Sequence, residues 1–114
     1  MPTPLNLRLY AVELLSECLV LAKDADEAED LARDLYLKDI APSDWSIHAT
    51  LSRQENPRGP LYRTLGWFDN TYVYAPNELH NQLTVLEAVD LDRATVLATA
   101  LEVVLDKAAR FGLA

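Results

Sequence analysis

Alternating apolar and polar positions open the chain and predict a strand. Leucines occupy every second position of residues 5–9, which is the period of a strand with one buried face. Apolar residues resume after Ser16 and Glu17 and continue to Ala22. The run is therefore either one strand that bends at Ser16 and Glu17 or two strands in a tight hairpin. Because no glycine or Asn-Gly pair marks a turn, we favour the bent strand.

The next stretch, residues 24–39, predicts an amphipathic helix with an acidic outer face. Asp24 can cap its first turn, and Glu27 lies at the position that completes a capping box. Apolar positions recur at the spacing of one helix face, namely Ala28, Leu31, Ala32 and Leu35. Pro42 prevents a longer helix, so we predict its span as about 25–38.

Residues 44–52 predict a second strand with strict alternation. One face would carry Trp45, Ile47, Ala49 and Leu51, and the other Ser46, His48, Thr50 and Ser52. Strand, helix and strand in this order are typical of a βαβ-type unit with its helix on one face of the sheet. A Pro- and Gly-containing loop at residues 53–60 follows, and residues 61–75 predict an aromatic hairpin.

The last third of the chain is helical in pattern. Thr84 and Glu87 can form a capping box for a short helix over residues 85–89. A longer helix would then start at Asp90 or Asp92 and run to about residue 110, with Gly112 as its stop. Its apolar surface comprises Leu97, Leu101, Val104, Leu105 and Ala108, widened by Val96, Ala100 and Val103. The sheet can cover one side of such a helix, and a second protomer or another partner could cover the rest.

These elements predict one α+β domain over residues 1–114. We expect a small antiparallel or mixed sheet of three to four strands, packed on one side by helices at about 25–38 and 91–110. A ferredoxin-like variant is compatible with this order of elements.

Charge narrows the classes of partner. The chain has 114 residues and a net charge of −8, from 18 acidic and 10 basic residues. Binding to nucleic acid or to an anionic membrane needs clustered Lys and Arg, so we expect neither. A basic protein surface is the matching partner, although solubility alone also explains this charge.

Two further patterns indicate a cytoplasmic protein. Cys18 is the only cysteine, which excludes an internal disulfide and fits a reducing compartment. The N-terminal residues lack the pattern of a signal peptide, and no apolar run is long enough to cross a membrane.

We find no motif for catalysis or metal binding. His48 and His80 are far apart and outside any ligand spacing, and Cys18 lies among Leu and Val, where thiols are usually inert. The three glycines are scattered, so no phosphate-binding loop is indicated. We therefore expect no enzyme, no cofactor and no metal.

Three groups of residues are candidate contact surfaces. The acidic helix face would contribute Asp26, Glu27, Glu29, Asp30 and Asp34, and the aromatic segment Trp67, Tyr72 and Tyr74. Core packing competes for the aromatic residues, above all for Trp67 and Phe68. The candidates for an oligomer interface are Val96, Ala100 and Val103.

Two resemblances bear on function. Residues 19–34, LVLAKDADEAEDLARD, resemble a strand-into-helix pattern common in small ferredoxin-like and other βαβ proteins, many of them encoded by phages and plasmids. In size, acidity and lack of catalytic motifs the whole chain resembles anti-CRISPR and related phage counter-defence proteins. That resemblance implies an inhibitor that binds a basic, nucleic-acid-handling surface of a host complex, and it transfers no functional residues. The alternative is a homo-oligomeric structural or accessory protein, such as a homodimer, with the C-terminal helix as its subunit interface.

Overall fold

A three-stranded antiparallel sheet and two helices form the fold, which confirms the predicted α+β class. The computed structural model describes residues 6–13, 17–36 and 47–112. In chain order the elements are β1 Arg8–Glu13, β2 Glu17–Ala22, α1 Ala25–Tyr36, β3 His48–Leu51 and α2 Val85–Arg110, with one 3₁₀ turn at Asn77–Leu79 before α2.

The first two strands pair as an antiparallel hairpin, with Glu13 opposite Glu17. The favoured prediction of one bent strand was therefore wrong, and the alternative of two strands is correct. Pairing satisfies the backbone donors and acceptors of two apolar runs against each other, which a single bent strand would leave open. Residues 14–16, which join the strands, lie outside the described residues.

The third strand pairs with the other side of β1, so the strand order is β2-β1-β3. Both β2 and β3 are antiparallel to β1 and hence parallel to each other, and α1 connects them across the sheet. The predicted βαβ unit is thus present with β1 inserted between its two strands. Residues 44–46 of the predicted strand lie outside the described residues.

The predicted alternation of buried and exposed side chains breaks at the C-terminal end of β3. Ala49 is buried as predicted, but Leu51 is exposed and Ser52 is fully buried. Hydrogen bonds account for the exchange, because the Ser52 amide donates to the Leu9 carbonyl over 2.9 Å and its hydroxyl to the Arg63 carbonyl over 2.6 Å.

Both faces of the sheet are covered, and the two helices lie on opposite faces. Their expected placement on one side was wrong, because β1 and β2 carry buried side chains on both faces instead of alternating with water. The α1 face comprises Tyr10, Val12, Cys18, Val20, Ala22, Ala28, Ala32 and Ala49. The α2 face comprises Leu7, Leu9, Ala11, Leu19, Leu21, Tyr62, Val73, Ala75, Val85, Ala88 and Val89.

Residues 61–75 do not form the predicted hairpin. The amides of Gln54 and Arg63 donate to the carbonyls of Leu61 and Ser52, so the first part of the segment pairs with the chain just after β3. The second part extends the sheet instead, since Tyr74 forms a parallel bridge with Val20 in β2. A turn does form at residues 69–70, where the Thr71 amide donates to the Phe68 carbonyl over 2.9 Å, but the chain after it pairs with the open edge of β2.

The final helix is continuous over 26 residues, so the predicted break near Asp90 was wrong. Its N-terminus has the predicted capping box, in which the Glu87 amide donates to the Thr84 hydroxyl and the Thr84 amide donates to the Glu87 carboxylate. Gly112 has a φ of 70°, the left-handed conformation that glycine adopts readily after the last turn of a helix.

Candidate interaction surfaces

A buried carboxylate fixes α2 to the body of the protein. Asp92 is completely buried, and its Oδ1 accepts hydrogen bonds from Arg8 Nε over 2.7 Å and from the Leu9 amide over 2.8 Å. Its Oδ2 accepts from the Tyr62 hydroxyl over 2.6 Å. One side chain of α2 is therefore bonded to β1 and to the 61–65 segment at the same time.

The environment of Tyr62 keeps its hydroxyl protonated. Burial raises the pKa of Tyr62 to about 12, and the hydrogen bond to Asp92 and the charge of Asp92 act in the same direction. The Arg93 guanidinium lies over the face of the Tyr62 ring, 5.5 Å from its centre. The protonated hydroxyl can therefore donate to Asp92 throughout the physiological pH range.

The pattern of apolar residues did not single out Asp92, which the sequence suggested as the start of a helix. Its place on the helix could have revealed it, because Asp92 lies on the same side of α2 as four other buried residues: Val85, Ala88, Val89 and Thr95. A carboxylate on that side has to be paired, and Arg8 lies in a strand of the same core. With donors at both oxygens and no exposed surface, Asp92 anchors α2.

Beyond this anchor the helix leaves the body. No residue of α2 after Thr95 is buried in the described structure, and we call residues 96–111 the distal half. At 1.5 Å per residue it is about 24 Å long. The longest dimension of the molecule is 56 Å, against 31 and 27 Å for the other two.

The distal half exposes a row of large apolar side chains. Leu97 is 70% exposed, Leu101 56% and Val104 60%, and Phe111 is exposed as well. The row follows the helix with alternating steps of four and three residues, and we call it the apolar stripe: Leu97, Leu101, Val104, Ala108 and Phe111. Leu105 is also exposed and lies beside it.

The side of α2 that is buried against the body becomes polar and exposed in the distal half, and the apolar residues of that half lie on the opposite side. The side that is buried near the sheet at Ala88, Asp92 and Thr95 continues as the exposed polar residues Thr99, Glu102 and Asp106. The opposite side carries the exposed Leu86, Asp90 and Arg93 near the body and continues as the apolar stripe. The stripe therefore points away from the side that the protein's own core covers.

The residues predicted for an oligomer interface are only partly on this surface. Val96 is half-buried, while Ala100 and Val103 are exposed. At 100° per residue, Val96 and Val103 continue the line of Val85 on the sheet side of the helix, and Ala100 lies between that line and the stripe.

The acidic face of α1 is confirmed as exposed at three of its five predicted residues. Asp26, Asp30 and Asp34 are exposed and recur every four residues, so they share one face; Glu27 and Glu29 are half-buried. We call these three aspartates the acidic face. Asp30 is paired with Arg33 over 3.0 Å.

Glu27 takes part in capping the N-terminus of α1. Its amide donates to the Asp24 carboxylate over 2.8 Å, and its own carboxylate accepts from the Lys23 amide over 3.2 Å. This is a close variant of the predicted capping box, with the amide of Lys23 in place of that of Asp24. A side chain used in this way is less available to a partner.

The aromatic candidates are split between a half-buried cluster and exposed rings. Trp67 and Tyr74 are half-buried, with their ring centres 6.2 Å apart in an edge-to-face arrangement, and His80 stacks on Tyr74 at 5.6 Å. Tyr72 is exposed, and Phe68 is 77% exposed, so the expectation that Phe68 packs in the core was wrong. Trp67 does pack against the core, as expected.

The Cys18 thiol and the side chains that can bind metal are the remaining chemically reactive groups. Cys18 is fully buried, and burial raises the pKa of its thiol to about 12. Over residues 6–13, 17–36 and 47–112, no three His, Cys, Asp or Glu side chains come together in a group that could hold a metal ion. None of the helices in these ranges is both long and apolar enough to cross a membrane.

Comparison of the chain with models of protein families, with curated proteins and with solved structures finds no match.

Proposed function

We propose that this chain is a non-enzymatic protein-binding module whose principal contact surface is the apolar stripe of α2. The main support is that the apolar side chains of the distal half do not lie on the side of the helix that the body covers. Monomeric soluble proteins rarely expose a contiguous apolar patch of more than a few hundred Å², and larger ones mark interaction sites. Here the exposed row follows four turns of one continuous helix, and its side chains are apolar, as in the centre of a protein interface.

The buried titratable groups support binding over catalysis. The Asp92 oxygens are both hydrogen-bonded within the protein, and the Cys18 thiol is buried and protonated at neutral pH. A general base or nucleophile needs an accessible atom beside its substrate. We therefore assign these two residues to folding and none to a reaction.

Affinity purification from the native host tests the proposal. The probe is the full tagged chain, and Leu101→Lys is compared with Val103→Lys, which places the same charge at an exposed apolar position of the distal half outside the stripe. We expect the wild type and Val103→Lys to be recovered in a complex of defined stoichiometry, with a second copy or with another protein. Leu101→Lys should lose it. A strictly monomeric wild type without a stoichiometric partner, or a complex that survives Leu101→Lys, would refute the proposal.

A second candidate function is favoured by the acidic face of α1. Asp26, Asp30 and Asp34 form a one-sided acidic surface on a chain with a net charge of −8. Such a surface attracts a basic protein surface and accelerates encounter. In this form the protein is a cytoplasmic, phage-encoded inhibitor of the anti-CRISPR kind, which occupies a nucleic-acid-handling surface of a host complex. The exposed ring of Tyr72 could add an anchor.

Charge reversal separates this function from the first. The test variant changes Asp26, Asp30 and Asp34 to Lys, and leaves the capping residue Glu27 unchanged. The matched control changes Glu55, Asp69 and Glu78 to Lys, three exposed acids outside α1, so both variants have the same net charge. Only the α1 variant should lose a basic partner captured from the host, and the wild-type complex should weaken with salt. Equal loss in both variants would leave net charge as the cause and refute a specific acidic face.

A further inference from the structure

The apolar stripe has the positions of a coiled-coil seam. Its residues follow one another at steps of four, three, four and three, the 3.5-residue spacing of heptad positions a and d. Ala94 precedes Leu97 at the same spacing and extends the series towards the body. A seam of this kind buries its side chains against a second helix with the same repeat.

We infer that the second helix is the distal half of another copy of this chain, paired in the antiparallel direction about a two-fold axis. The inference rests on the proposed function, since it names the partner of the stripe. An axis between positions 102 and 103 would place Leu101 of each copy opposite Val104 of the other. It would likewise place Leu97 opposite Ala108 and Ala94 opposite Phe111.

The pairing matches large side chains with small ones at each layer. Phe111, the largest member, would meet Ala94, and Leu97 would meet Ala108, while the central layer joins Leu101 to Val104. Interdigitation of large and small residues is what fills the space between two helices without voids. An isologous interface requires a self-complementary patch, and this series supplies one.

Charge favours a second copy and sets the direction. The distal half has two acids, Glu102 and Asp106, and two bases, Lys107 and Arg110, so its net charge is zero within a chain of −8. Two distal halves can therefore meet without like-charge repulsion. Asp106 and Arg110 pair within the helix at 3.1 Å, on the side away from the seam.

The rest of the charge is in the body, and parallel pairing would bring two acidic bodies together. Antiparallel pairing places the bodies at opposite ends of the helix pair and opposes the two helix dipoles.

The area that the seam can bury is that of a weak, reversible dimer. Burying one Leu, Val or Phe side chain removes roughly 60–120 Å² of apolar surface from water. Leu97, Leu101, Val104, Leu105 and Phe111 of both copies would then bury roughly 600–1,200 Å², before the alanines and the backbone are added. Specific interfaces start at about 1,200 Å². We therefore expect a dimer that dissociates on dilution.

Sedimentation of the purified full chain over a range of concentrations is the first test. The wild type should change from 12.8 kDa to twice that mass as concentration rises. Val104 and Val103 supply a matched pair, because both are exposed valines of the distal half and only Val104 is in the seam. We expect Val104→Asp to raise the dimer dissociation constant by about a hundredfold or more, since each dimer would bury two unpaired carboxylates. Val103→Asp should change it less than about threefold.

Disulfide trapping tests the direction of the helices. Leu101→Cys and Val104→Cys are made as separate variants and mixed under mild oxidation, with the buried Cys18 unchanged. Antiparallel pairing brings position 101 of one copy next to position 104 of the other, so the mixture should give mostly the 101–104 dimer. A parallel pair would give 101–101 and 104–104 dimers instead.

Several results would overturn the inference. They are a wild type that stays monomeric at millimolar concentration, a Val103→Asp variant that dissociates as much as Val104→Asp, and a predominance of 101–101 cross-links. Circular dichroism of each variant confirms that its helices are retained. If the wild type is monomeric alone but binds a different host protein through Leu101, pairing with a second copy is wrong and the proposed function stands.

Discussion

At the scale of single residues, Asp92 is the side chain on which the position of α2 depends. Replacing it with Ala removes the acceptor for Arg8 Nε, the Leu9 amide and the Tyr62 hydroxyl. Removing one partner of a buried ion pair costs about 3–5 kcal/mol, because the other groups are left desolvated. We expect Asp92→Ala to lower the free energy of unfolding by about this amount, as measured by urea denaturation.

Asp90→Ala is the matched control, because Asp90 is two residues away in the same helix and is exposed. Its ion pair with Arg93, at 3.6 Å, lies on the surface, where such pairs contribute about 0–1 kcal/mol. Losses of equal size in the two variants would show that Asp92 is not an anchor.

Tyr62 gives the protein a dependence on alkaline pH. Its pKa is raised from 10.0 to about 12 in the folded chain, so above pH 10 the unfolded state releases the proton first. The folded state then binds more protons than the unfolded state, and the free energy of unfolding falls as pH rises from 10 to 12. Below pH 10 this contribution is complete and independent of pH.

The measurement compares wild type with Tyr62→Phe by urea denaturation between pH 8 and 12. Tyr62→Phe should be less stable at pH 8, where it lacks the hydrogen bond to Asp92, and the difference should shrink above pH 10. Cys18 also titrates late and contributes equally to both proteins, so it cancels in the comparison. A difference that stays constant to pH 12 would contradict the assigned shift.

At the scale of elements, the start of α2 is the local structure that neighbouring residues determine most directly. Thr84→Ala removes the hydroxyl that accepts from the Glu87 amide over 3.2 Å, and loss of such a cap costs about 0.5–2 kcal/mol. Thr99→Ala is the control, an exposed threonine of the same helix whose hydroxyl donates to the Thr95 carbonyl. Because alanine is the better helix former, Thr99→Ala should be neutral or slightly stabilising. Thermal unfolding of both variants checks the prediction, and an equal loss would contradict the role of the cap.

Helix signals proved easier to interpret than strand pairing. The cap at Thr84, the stop at Gly112 and the buried alanines of α1 were predictable because each depends on residues within one or two turns. The pairing of β1 with β2 and the attachment of Tyr74 to Val20 depend on which backbone edges meet in space, and no local pattern encodes that choice. The extended chain at residues 61–75 was recognised, but its partners were not.

The same distinction between local and long-range signals applies to the candidate contact surfaces. The exposed positions of α1 follow from helix periodicity, and so does the excess of apolar residues at the end of α2. Which of those apolar residues are uncovered depends on where the helix leaves the body, and that point is set by the bonds of Asp92 to Arg8 and Tyr62. Helix periodicity separated the line of Leu97 and Val104 from that of Val96 and Val103, but for this reason it could not show which of the two lines lies on the sheet side.

At the scale of the whole molecule, the chain consists of a two-faced core and a helix that extends beyond it. The core needs both helices, since each covers one face of the sheet, but it uses only the part of α2 up to Thr95. Under the proposed function, folding and assembly depend on different halves of one continuous helix. Shortening the chain should therefore remove the proposed contact surface and leave the fold intact.

We therefore expect a chain that ends at Ala100, which lacks most of the distal half, to fold. Nothing from Val96 to Gly112 is buried in the described structure, so its unfolding free energy should lie within about 1 kcal/mol of that of full-length Val104→Asp, the proposed monomeric form. Urea denaturation followed by near-UV circular dichroism provides the comparison. The shortened chain should also melt at a temperature independent of its concentration, whereas the melting temperature of the wild type should rise with concentration. Loss of cooperative unfolding in the shortened chain would show instead that the distal half is needed for the fold, and that the separation of folding from assembly within α2 is wrong.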